Sequence, residues 1–585
     1  MMKYQGCRTN HKNRTIVGLL SITVAGMLCL HWEGPDIILH IVCLMTDMLL
    51  LGLLLWLLPH IVSTVLRVLL ESVMYVTALF DTYCLQHFGK GISPTMLSFL
   101  INTDTGEAVD FIHTFGLQTV ADWHIVTLLL LMVVHGTISL NIGRFHCLPL
   151  PRCRRWMLPV CCVLLLAGLG VSWTERQRLF TLLSQQSLTD MEGLVFRHHH
   201  HSAYTPPLRL LYAYKALMLT EDEVRKLEEA TFTARIDSCS HRSEHIVLII
   251  GESYNRHHSQ LYSYPLPTTP HQKSRAEKGE LTVFADVVSP WNITTNAFNQ
   301  FFSLYHYGAR RPWASYPLFP ILFRQAGYRV AFLSNQFRRR RKSKSFSQTG
   351  GFFLNSFALY HGLFDVHNHH KAHDDMDFLT MQLPLVSDST GSKLDIIHLR
   401  GQHFEYEAHY PEEQEYFRIR DYQYRQLTDG QRQVVAHYDN ATRWNDAVVD
   451  SILRYYKDSE AVVVYMADHG EEVYDDLPVK GRIHAEPTAR QVRQEFEIPF
   501  WIWCSPLYAE RHPDITAQIE AAANRPWITD RLPHLLLYLA GIAHADYDER
   551  LSLIGSSNDP SIPRMIEGIV DYDSLLNCHQ QQSHY

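Results

Sequence analysis

Long apolar stretches dominate the first 175 residues, whereas the rest of the chain alternates shorter apolar runs with polar ones. Each long stretch approaches the ~20 residues that a helix needs to cross a bilayer. Because a helix satisfies its backbone groups within one segment, the pattern predicts membrane-spanning helices. The five predicted spans are Thr15–Trp32, Ile37–Leu58, Ile61–Phe80, Ile125–Ile142 and Met157–Trp173.

The third stretch contains two charged residues, Arg67 and Glu71. Being four positions apart, they share one face of a helix and can pair inside a bundle. Two interpretations therefore stay open for this segment: a third span with an internal ion pair, or a helix lying at the membrane interface.

Basic residues predict the orientation of the spans. One cluster precedes the first span and another lies between the fourth and fifth, and such clusters stay in the cytoplasm. With five spans, everything after Trp173 then lies on the outer, non-cytoplasmic side of the membrane. The first span has no small-residue cleavage site before a soluble domain, so it is predicted to be an anchor. The clusters are Lys3, Arg8, Lys12 and Arg14, and Arg144, Arg152, Arg154 and Arg155.

The second part of the chain has the pattern of an α/β domain. HIVLIIGES, YRVAFLSNQ, KLDIIHLRGQH and AVVVYMADHGEE each contain a short aliphatic run, and helical segments such as PLFPILFRQAG lie between them. This alternation predicts an open, mostly parallel sheet. The predicted organisation is a five-span transmembrane domain over 1–175 with a non-cytoplasmic loop at 81–122, a connecting helical segment over 176–240, and an α/β domain over 241–585.

Composition narrows the possible functions. The formal net charge is -8, so the chain lacks the basic footprint of a nucleic-acid-binding protein. Eight of the 11 cysteines lie at or before Cys162. The three later cysteines allow at most one disulfide in the second part, and no zinc-finger spacing occurs.

Polar residues follow the predicted strands directly. Glu252, Asp468, His469 and His403 all fall just past a strand end, where the ligands of such sheets gather. Two carboxylates and an imidazole are suitable zinc ligands, and a catalytic zinc also accepts an oxygen ligand. The alternative is that these residues are ordinary polar loop residues.

The segment GESYNRHHSQLYSYPLPTTP, at 251–270, resembles the opening motif of the phosphoethanolamine transferases of the alkaline phosphatase superfamily. Further similar segments follow in the same order: RQAGYRVAFLSNQ, IIHLRGQHFEYEAHYPEE, YMADHGEEVYDD and EFEIPFWIW. The apolar anchor and the loop NTDTGEA resemble the same family. The chain is most similar to the members that modify the lipopolysaccharide core, and it is related to the lipid A and colistin-resistance enzymes.

This resemblance implies a zinc ion held by Glu252, Thr294, Asp468 and His469. Thr294, in SPWNITTNAFNQFFSLYH, corresponds to the family's nucleophile, and Thr295 remains the alternative. Metal coordination lowers the pKa of a hydroxyl, which is otherwise a poor nucleophile.

Four more residues match family positions. His403 and His484 correspond to histidines near the phosphate or at a second, weaker zinc site, or are idle loop histidines. Thr103 and Glu107 match positions near the lipid head group, where Glu107 suits an ethanolammonium; otherwise it is a solvated carboxylate.

The implied reaction transfers phosphoethanolamine from phosphatidylethanolamine to a lipopolysaccharide acceptor, core or lipid A, through a covalent threonine intermediate. The implied location is a bacterial inner membrane, with the catalytic domain in the periplasm. Ser263 and Leu266 depart from the family pattern, and three cysteines cannot supply the several disulfides of many lipid A enzymes.

Competing interpretations of the function stay open. A sulfatase needs Cys/Ser-x-Pro-x-Arg, which Cys504-Ser505-Pro506 does not continue. A membrane phosphoglycerol transferase, a phosphodiester hydrolase and a non-catalytic envelope scaffold are each compatible with the pattern. The run RRRRKSK at 338–344 either binds anionic lipid heads or is a solvated loop, and the histidines at 198–201 form either a metal-binding or a solvated patch.

Overall fold

The computed structural model describes the chain in two compact units, whose boundary falls between Glu221 and Asp222. This boundary lies inside the predicted connecting segment 176–240. The described residues are all except 1, 31–35, 89–90, 95, 98–122, 142–153, 189–190, 192–193, 195–202, 338–351, 369, 388–390, 483–486 and 583–585.

Helices form the first unit. Several of these helices are strongly apolar along their length, as expected for helices that meet lipid or one another. The helices are α1 (Met2–Leu28), α2 (Ile37–Leu57), α3 (His60–Phe88), α4 (Trp123–Asn141), α5 (Arg154–Val171), α6 (Trp173–Ser184) and α7 (Pro206–Thr233), the last of which continues into the second unit.

Three of the described helical segments are long and apolar enough to cross a membrane, namely Ile37–Leu57, His60–Gln86 and Trp123–Asn141. The pair Pro159–Val171 and Trp173–Ser184, bent by 62°, adds a fourth if it forms one span. Arg14–Leu28 is a shorter apolar helix. Among the described residues, most of each of the five predicted spans lies on a helix, and the count of five spans stays a prediction.

Arg67 and Glu71 pair within α3, as one of the two sequence interpretations predicts. Arg67 Nη1 lies 3.3 Å from Glu71 Oε1, and both side chains are largely buried. Gly18 of α1 faces this carboxylate so closely that a Cβ there would be 1.9 Å from Glu71 Oε1. A glycine at position 18 therefore makes room for the ion pair between the helices.

A seven-stranded sheet forms the centre of the second unit. The strands are β1 (His245–Gly251), β2 (Leu281–Val283), β3 (Arg329–Ser334), β4 (Val366–His367), β5 (Lys393–His398), β6 (Ala461–Ala467) and β7 (Phe500–Cys504). Their order in the sheet is β2-β7-β6-β1-β5-β3-β4. All neighbouring strands are parallel except the two pairs that involve β7, which runs antiparallel to β6 and to β2.

The four strands expected from the sequence, β1, β3, β5 and β6, are the contiguous centre of this sheet. Their residues are almost entirely buried, which is why they are continuous aliphatic runs rather than alternating ones. The predicted fold class, a helical membrane part followed by an α/β domain with a mostly parallel sheet, is confirmed.

Helices and short strand pairs surround the sheet. The helices are α8 (Pro270–Glu277), α9 (Thr294–Phe302), α10 (Phe319–Gln325), α11 (Phe357–Leu363), α12 (Asp375–Gln382), α13 (Pro384–Ser387), α14 (Asp429–Tyr456), α15 (Ala489–Glu495), α16 (Pro506–Arg511), α17 (Pro513–Ala521), α18 (Leu532–Ala540) and α19 (Tyr572–Gln582). The two-residue strands are Ser238–Cys239, Val287–Val288, Glu472–Val473, Lys480–Gly481, Trp527–Ile528, Ile542–Ala543, Met565–Ile566 and Val570–Asp571.

Candidate metal centre

Two carboxylates are brought side by side by adjacent parallel strands. Gly251 at the end of β1 is in register with Ala467 at the end of β6. The next residue on each strand is an acid, Glu252 and Asp468, and both are completely buried. Because parallel strands present their carboxyl ends at the same edge, these two side chains necessarily meet there.

Backbone groups hold the turn after each strand. Ser253 N donates to Asp468 Oδ1 at 3.0 Å, and His469 N donates to the same oxygen at 2.8 Å. Ser253 has a φ of 53°, a left-handed conformation that is unusual for a residue other than glycine. Such strain is retained where the surrounding structure fixes it, and functional sites are a common place for it.

His469 presents Nε2 to both carboxylates. Its Nδ1 donates to Gly470 O at 2.7 Å, so that Nε2 carries the lone pair of a neutral ring. Nε2 lies 3.2 Å from Asp468 Oδ2 and 3.6 Å from Glu252 Oε1. Burial, together with the nearby positive charge of Arg482, lowers the pKa of His469 to about 3. The imidazole is therefore neutral at physiological pH, as a metal ligand must be.

Thr294 adds a hydroxyl to this group. It is the first residue of α9, and its Oγ1 lies 3.2 Å from Glu252 Oε1 and 3.2 Å from His469 Nε2. Thr295 Oγ1 instead donates to Asn296 Oδ1 at 3.3 Å. The first backbone N–H groups of a helix attract anions, so the start of α9 also favours a phosphate beside Thr294.

The donor set fits a zinc ion. One ligand atom each from Glu252, Asp468 and His469 all lie within 4.8 Å of one another. Burial and the charge of Glu252 raise the pKa of Asp468, and Asp468 Oδ2 has no hydrogen-bond donor among the described residues. Two buried carboxylates, a neutral imidazole and a hydroxyl are ligands that zinc accepts, and a cation there offsets the repulsion between the acids.

Two polar residues near the Glu252 carboxylate, Gln336 and His398, were not predicted from the sequence. Gln336, just after β3, donates from Nε2 to Glu252 Oε2 at 2.7 Å, and Nε2 lies 3.1 Å from His398 Nε2. Burial lowers the pKa of His398 to about 3. A signal for Gln336 was present, because it is a polar residue that follows a predicted strand in YRVAFLSNQ.

A half-buried arginine, also missed, lies against the same group. Arg482 Nη1 is 2.7 Å from His469 Nε2, and its Nε is 3.6 Å from Glu471 Oε2. Burial alone would lower the pKa of Arg482, but the charges of Glu471 and Glu252 raise it, so the guanidinium stays protonated.

His403 lies near this group without joining it. The turn that precedes His403 is held by a hydrogen bond from Gln402 N to Glu252 O at 3.2 Å. The half-buried ring of His403 contacts the ring of His409 instead of the metal-ligand candidates. His484, Thr103 and Glu107 lie outside the described residues, as do the basic run at 338–344 and the histidines at 198–201. Their proposed roles stay predictions.

The sequence of the second unit matches a known protein family. A family model described as Sulfatase matches residues 244–542, just over half of the chain, and this range contains all seven strands of the central sheet. Phosphoethanolamine transferase EptC of Escherichia coli O18:K1:H7 is 28% identical over 353 residues, which are 58% of this chain and 59% of that relative. The chain thus matches less than two thirds of that relative's length.

Solved structures are also similar. The integral membrane protein lipooligosaccharide phosphoethanolamine transferase A of Neisseria meningitidis is 16% identical, and the match covers 92% of this chain and 97% of that one with a TM-score of 0.50. The C-terminal periplasmic domain of EptC from Escherichia coli, in complex with Zn, is 26% identical over 59% of this chain and 96% of that one, with a TM-score of 0.49. The family model confirms the resemblance inferred from the motifs at the level of the sulfatase family.

Proposed function

Because the chain belongs to the sulfatase family, we propose that it is a zinc-dependent transferase that moves phosphoethanolamine from phosphatidylethanolamine to a lipopolysaccharide acceptor, core or lipid A. The family includes hydrolases and transferases, so the fold alone does not select the reaction. The name of one similar protein, phosphoethanolamine transferase EptC, supports phosphoethanolamine as the transferred group.

One observation carries the proposal: the Thr294 hydroxyl is 3.2 Å from both Glu252 Oε1 and His469 Nε2. A hydroxyl in that position shares the two ligand atoms that a metal would use, so it can be both ligand and nucleophile. Thr294 also begins α9, whose backbone N–H groups suit a phosphate bonded to Oγ1.

In the first half-reaction Thr294 Oγ attacks the donor phosphorus. A bond forms between Oγ and phosphorus, the bond from phosphorus to the diacylglycerol oxygen breaks, and the hydroxyl proton ends on the departing diacylglycerol. A bound zinc supplies positive charge that lowers the pKa of the hydroxyl and offsets charge on the phosphoryl oxygens. Glu252, Asp468 and His469 hold that ion and fix the direction of the Thr294 oxygen.

In the second half-reaction an acceptor hydroxyl or phosphate oxygen attacks the same phosphorus. The bond to Thr294 Oγ breaks, and Oγ takes back a proton, which comes from the acceptor where a hydroxyl attacks and from water where an unprotonated phosphate oxygen attacks. The apolar helices of the first unit support a membrane location for both the lipid donor and the acceptor. We place the catalytic unit in the periplasm of a bacterial inner membrane, in agreement with the basic clusters at 3–14 and 144–155.

Intact mass spectrometry of the purified chain after incubation with phosphatidylethanolamine tests the proposal. We expect one phosphoethanolamine adduct on the wild-type protein and on Thr295→Val, and none on Thr294→Ala. An adduct that persists on Thr294→Ala and disappears from Thr295→Val would move the nucleophile to Thr295. Absence of the adduct from zinc-loaded wild type, with an adduct from phosphatidylglycerol, would replace the proposal by phosphoglycerol transfer.

A further inference from the structure

The Nε2 atom of His469 has two neighbours besides the carboxylates. Arg482 Nη1 lies 2.7 Å away and Thr294 Oγ1 lies 3.2 Å away. Gly470 O can only accept, so the 2.7 Å contact from Nδ1 fixes the proton on Nδ1 and leaves Nε2 with a single lone pair. That lone pair can accept from the guanidinium or coordinate a metal ion, but it cannot do both.

We propose that Arg482 competes with the metal ion for His469 Nε2 and, when the ion displaces it, turns to bind the phosphoryl oxygens of the group on Thr294. The guanidinium is then an exchangeable cation: it offsets the charge of Glu252 and Asp468 in one position and binds substrate in the other. The second position rests on the function proposed above, whereas the first does not.

The contacts of Arg482 allow this exchange. Its Nε faces Glu471 Oε2 at 3.6 Å, and Tyr406 Oη donates to Glu471 Oε1 at 2.8 Å, so that Glu471 is a fixed, buried anchor. The Nη edge points the other way, toward His469. A guanidinium whose Nε side stays in this ion pair with Glu471 can therefore turn its Nη side without leaving its counter-ion.

The second position proposed for the Arg482 guanidinium, beside a phosphoryl group on Thr294, lies near its present one. Arg482 Nη1 is 3.4 Å from Asn292 O, two residues before Thr294. A phosphoryl group bonded to Thr294 Oγ1 would present its oxygens within reach of that edge. Arginine binds phosphate oxygens through two parallel N–H donors, and each charge-assisted hydrogen bond is stronger than a neutral one. The start of α9 supplies backbone donors to the same group.

The first test measures zinc affinity by chelator competition on the full chain in detergent. Removing the competitor should make Arg482→Gln bind zinc about tenfold more tightly, if the guanidinium holds Nε2 for about nine tenths of the time in wild type. Arg482→Lys keeps the positive charge but lacks the paired N–H donors of a guanidinium, so we expect this variant also to bind zinc more tightly than wild type does. Arg275→Gln, which breaks the remote ion pairs with Asp450 and Glu280, is the control and should match wild type.

Two results in this test would overturn the competition. One is zinc affinity that is unchanged or weaker in Arg482→Gln. The other is tighter binding in Arg482→Gln with wild-type affinity in Arg482→Lys, since removal of charge alone would then account for the effect. If Arg482→Gln does not fold, Arg482→Lys still decides the question.

The second test measures the binding of inorganic phosphate to the zinc-saturated chain through the shift in its unfolding midpoint. We expect Arg482→Gln to bind phosphate at least about tenfold more weakly, the loss typical of a charge-assisted hydrogen bond. Equal phosphate affinity in wild type and variant would overturn the second position of Arg482. If the zinc and phosphate affinities both change as expected but wild type forms no Thr294 adduct, the result would count against the phosphoethanolamine donor. The movement of Arg482 between His469 and the phosphoryl group would still stand.

Discussion

Gln336 Nε2 lies 2.7 Å from Glu252 Oε2 and joins a residue that follows β3 to one that follows β1, two strands away in the sheet. The same amide nitrogen also donates to Leu399 O at 2.9 Å, which ties it to the end of β5 between them. Gln336 therefore fixes the direction of the Glu252 carboxylate, whose two oxygens lie 3.2 and 3.3 Å from Thr294 Oγ1. We regard Gln336 as a positioning residue of the metal centre.

Replacing Gln336 should loosen the metal without removing a ligand. We expect Gln336→Leu to weaken zinc binding about tenfold or more, as is usual when a partner of a ligating carboxylate is lost. The zinc dissociation constant, measured by chelator competition, checks this. Gln325→Leu removes a similar amide that donates to Ala234 O, away from the site, and should leave the constant unchanged. An equal loss in both variants would mean that Gln336 acts only through general stability.

Zinc removal should destabilise the second unit. Glu252 and Asp468 are buried and close together, so without the ion the two carboxylates either repel each other or take up a proton, as the raised pKa of Asp468 reflects. At about a thousandfold excess of free zinc over its dissociation constant, binding adds about 4 kcal/mol to the free energy of unfolding. The unfolding midpoint of the full chain, recorded with chelator and then with added zinc, measures this.

Asp468→Asn is the matched variant for that experiment. It removes one of the two charges, so it should be less sensitive to the chelator and should gain less from added zinc than wild type does. A midpoint that responds equally in wild type and Asp468→Asn would show that the ion binds elsewhere on the chain.

The sequence predicted that Glu252, Asp468 and His469 lie together, but it did not predict the side chains and strands around them. Glu252, Asp468 and His469 could be placed because each follows a long aliphatic run, and parallel strands bring their carboxyl ends to one edge. Arg482 follows the two-residue strand Lys480–Gly481, which is too short to show a periodic pattern. The antiparallel direction of β7 was likewise not predictable, since the apolar run FWIWC carries no information on strand direction.

His258 should make stability depend on pH at alkaline values. Its ring lies 2.6 Å from Asp439 and 3.0 Å from Asp475, and the rings of Tyr264 and Tyr438 cover it. Burial alone would lower the pKa of His258, but the two carboxylates raise it to about 10 from the ordinary 6.5. A group with a raised pKa contributes stability that is complete below pH 6.5 and is lost as the pH rises through about 10.

We therefore expect wild type to exceed His258→Asn in unfolding free energy by about 2–5 kcal/mol near pH 6.5, and by progressively less as the pH approaches about 10. Denaturant unfolding of both proteins over that range measures the difference. A difference that stays constant with pH would contradict a charged His258 in the folded chain. The comparison cancels groups that titrate in both proteins, such as exposed lysines.

The last prediction concerns the first unit, where Asp81 and Arg209 form a buried bidentate pair. Arg209 Nε and Nη2 donate to the two carboxylate oxygens at 2.8 and 2.6 Å. Arg209 Nη2 also donates to Cys29 O at the end of α1, and Ile92 N donates to Asp81 Oδ1. The pair therefore joins α3 and α7 to the end of α1 and to the segment after α3.

Breaking one side of this pair leaves an uncompensated buried charge. We expect Asp81→Asn to lower the free energy of unfolding by about 3–5 kcal/mol, and the double variant Asp81→Asn, Arg209→Gln to lose less than the sum of the two single variants. The fraction of folded chain in a detergent series measures the three proteins against wild type. Additive losses would mean that the two side chains stabilise the unit independently, through their separate backbone contacts.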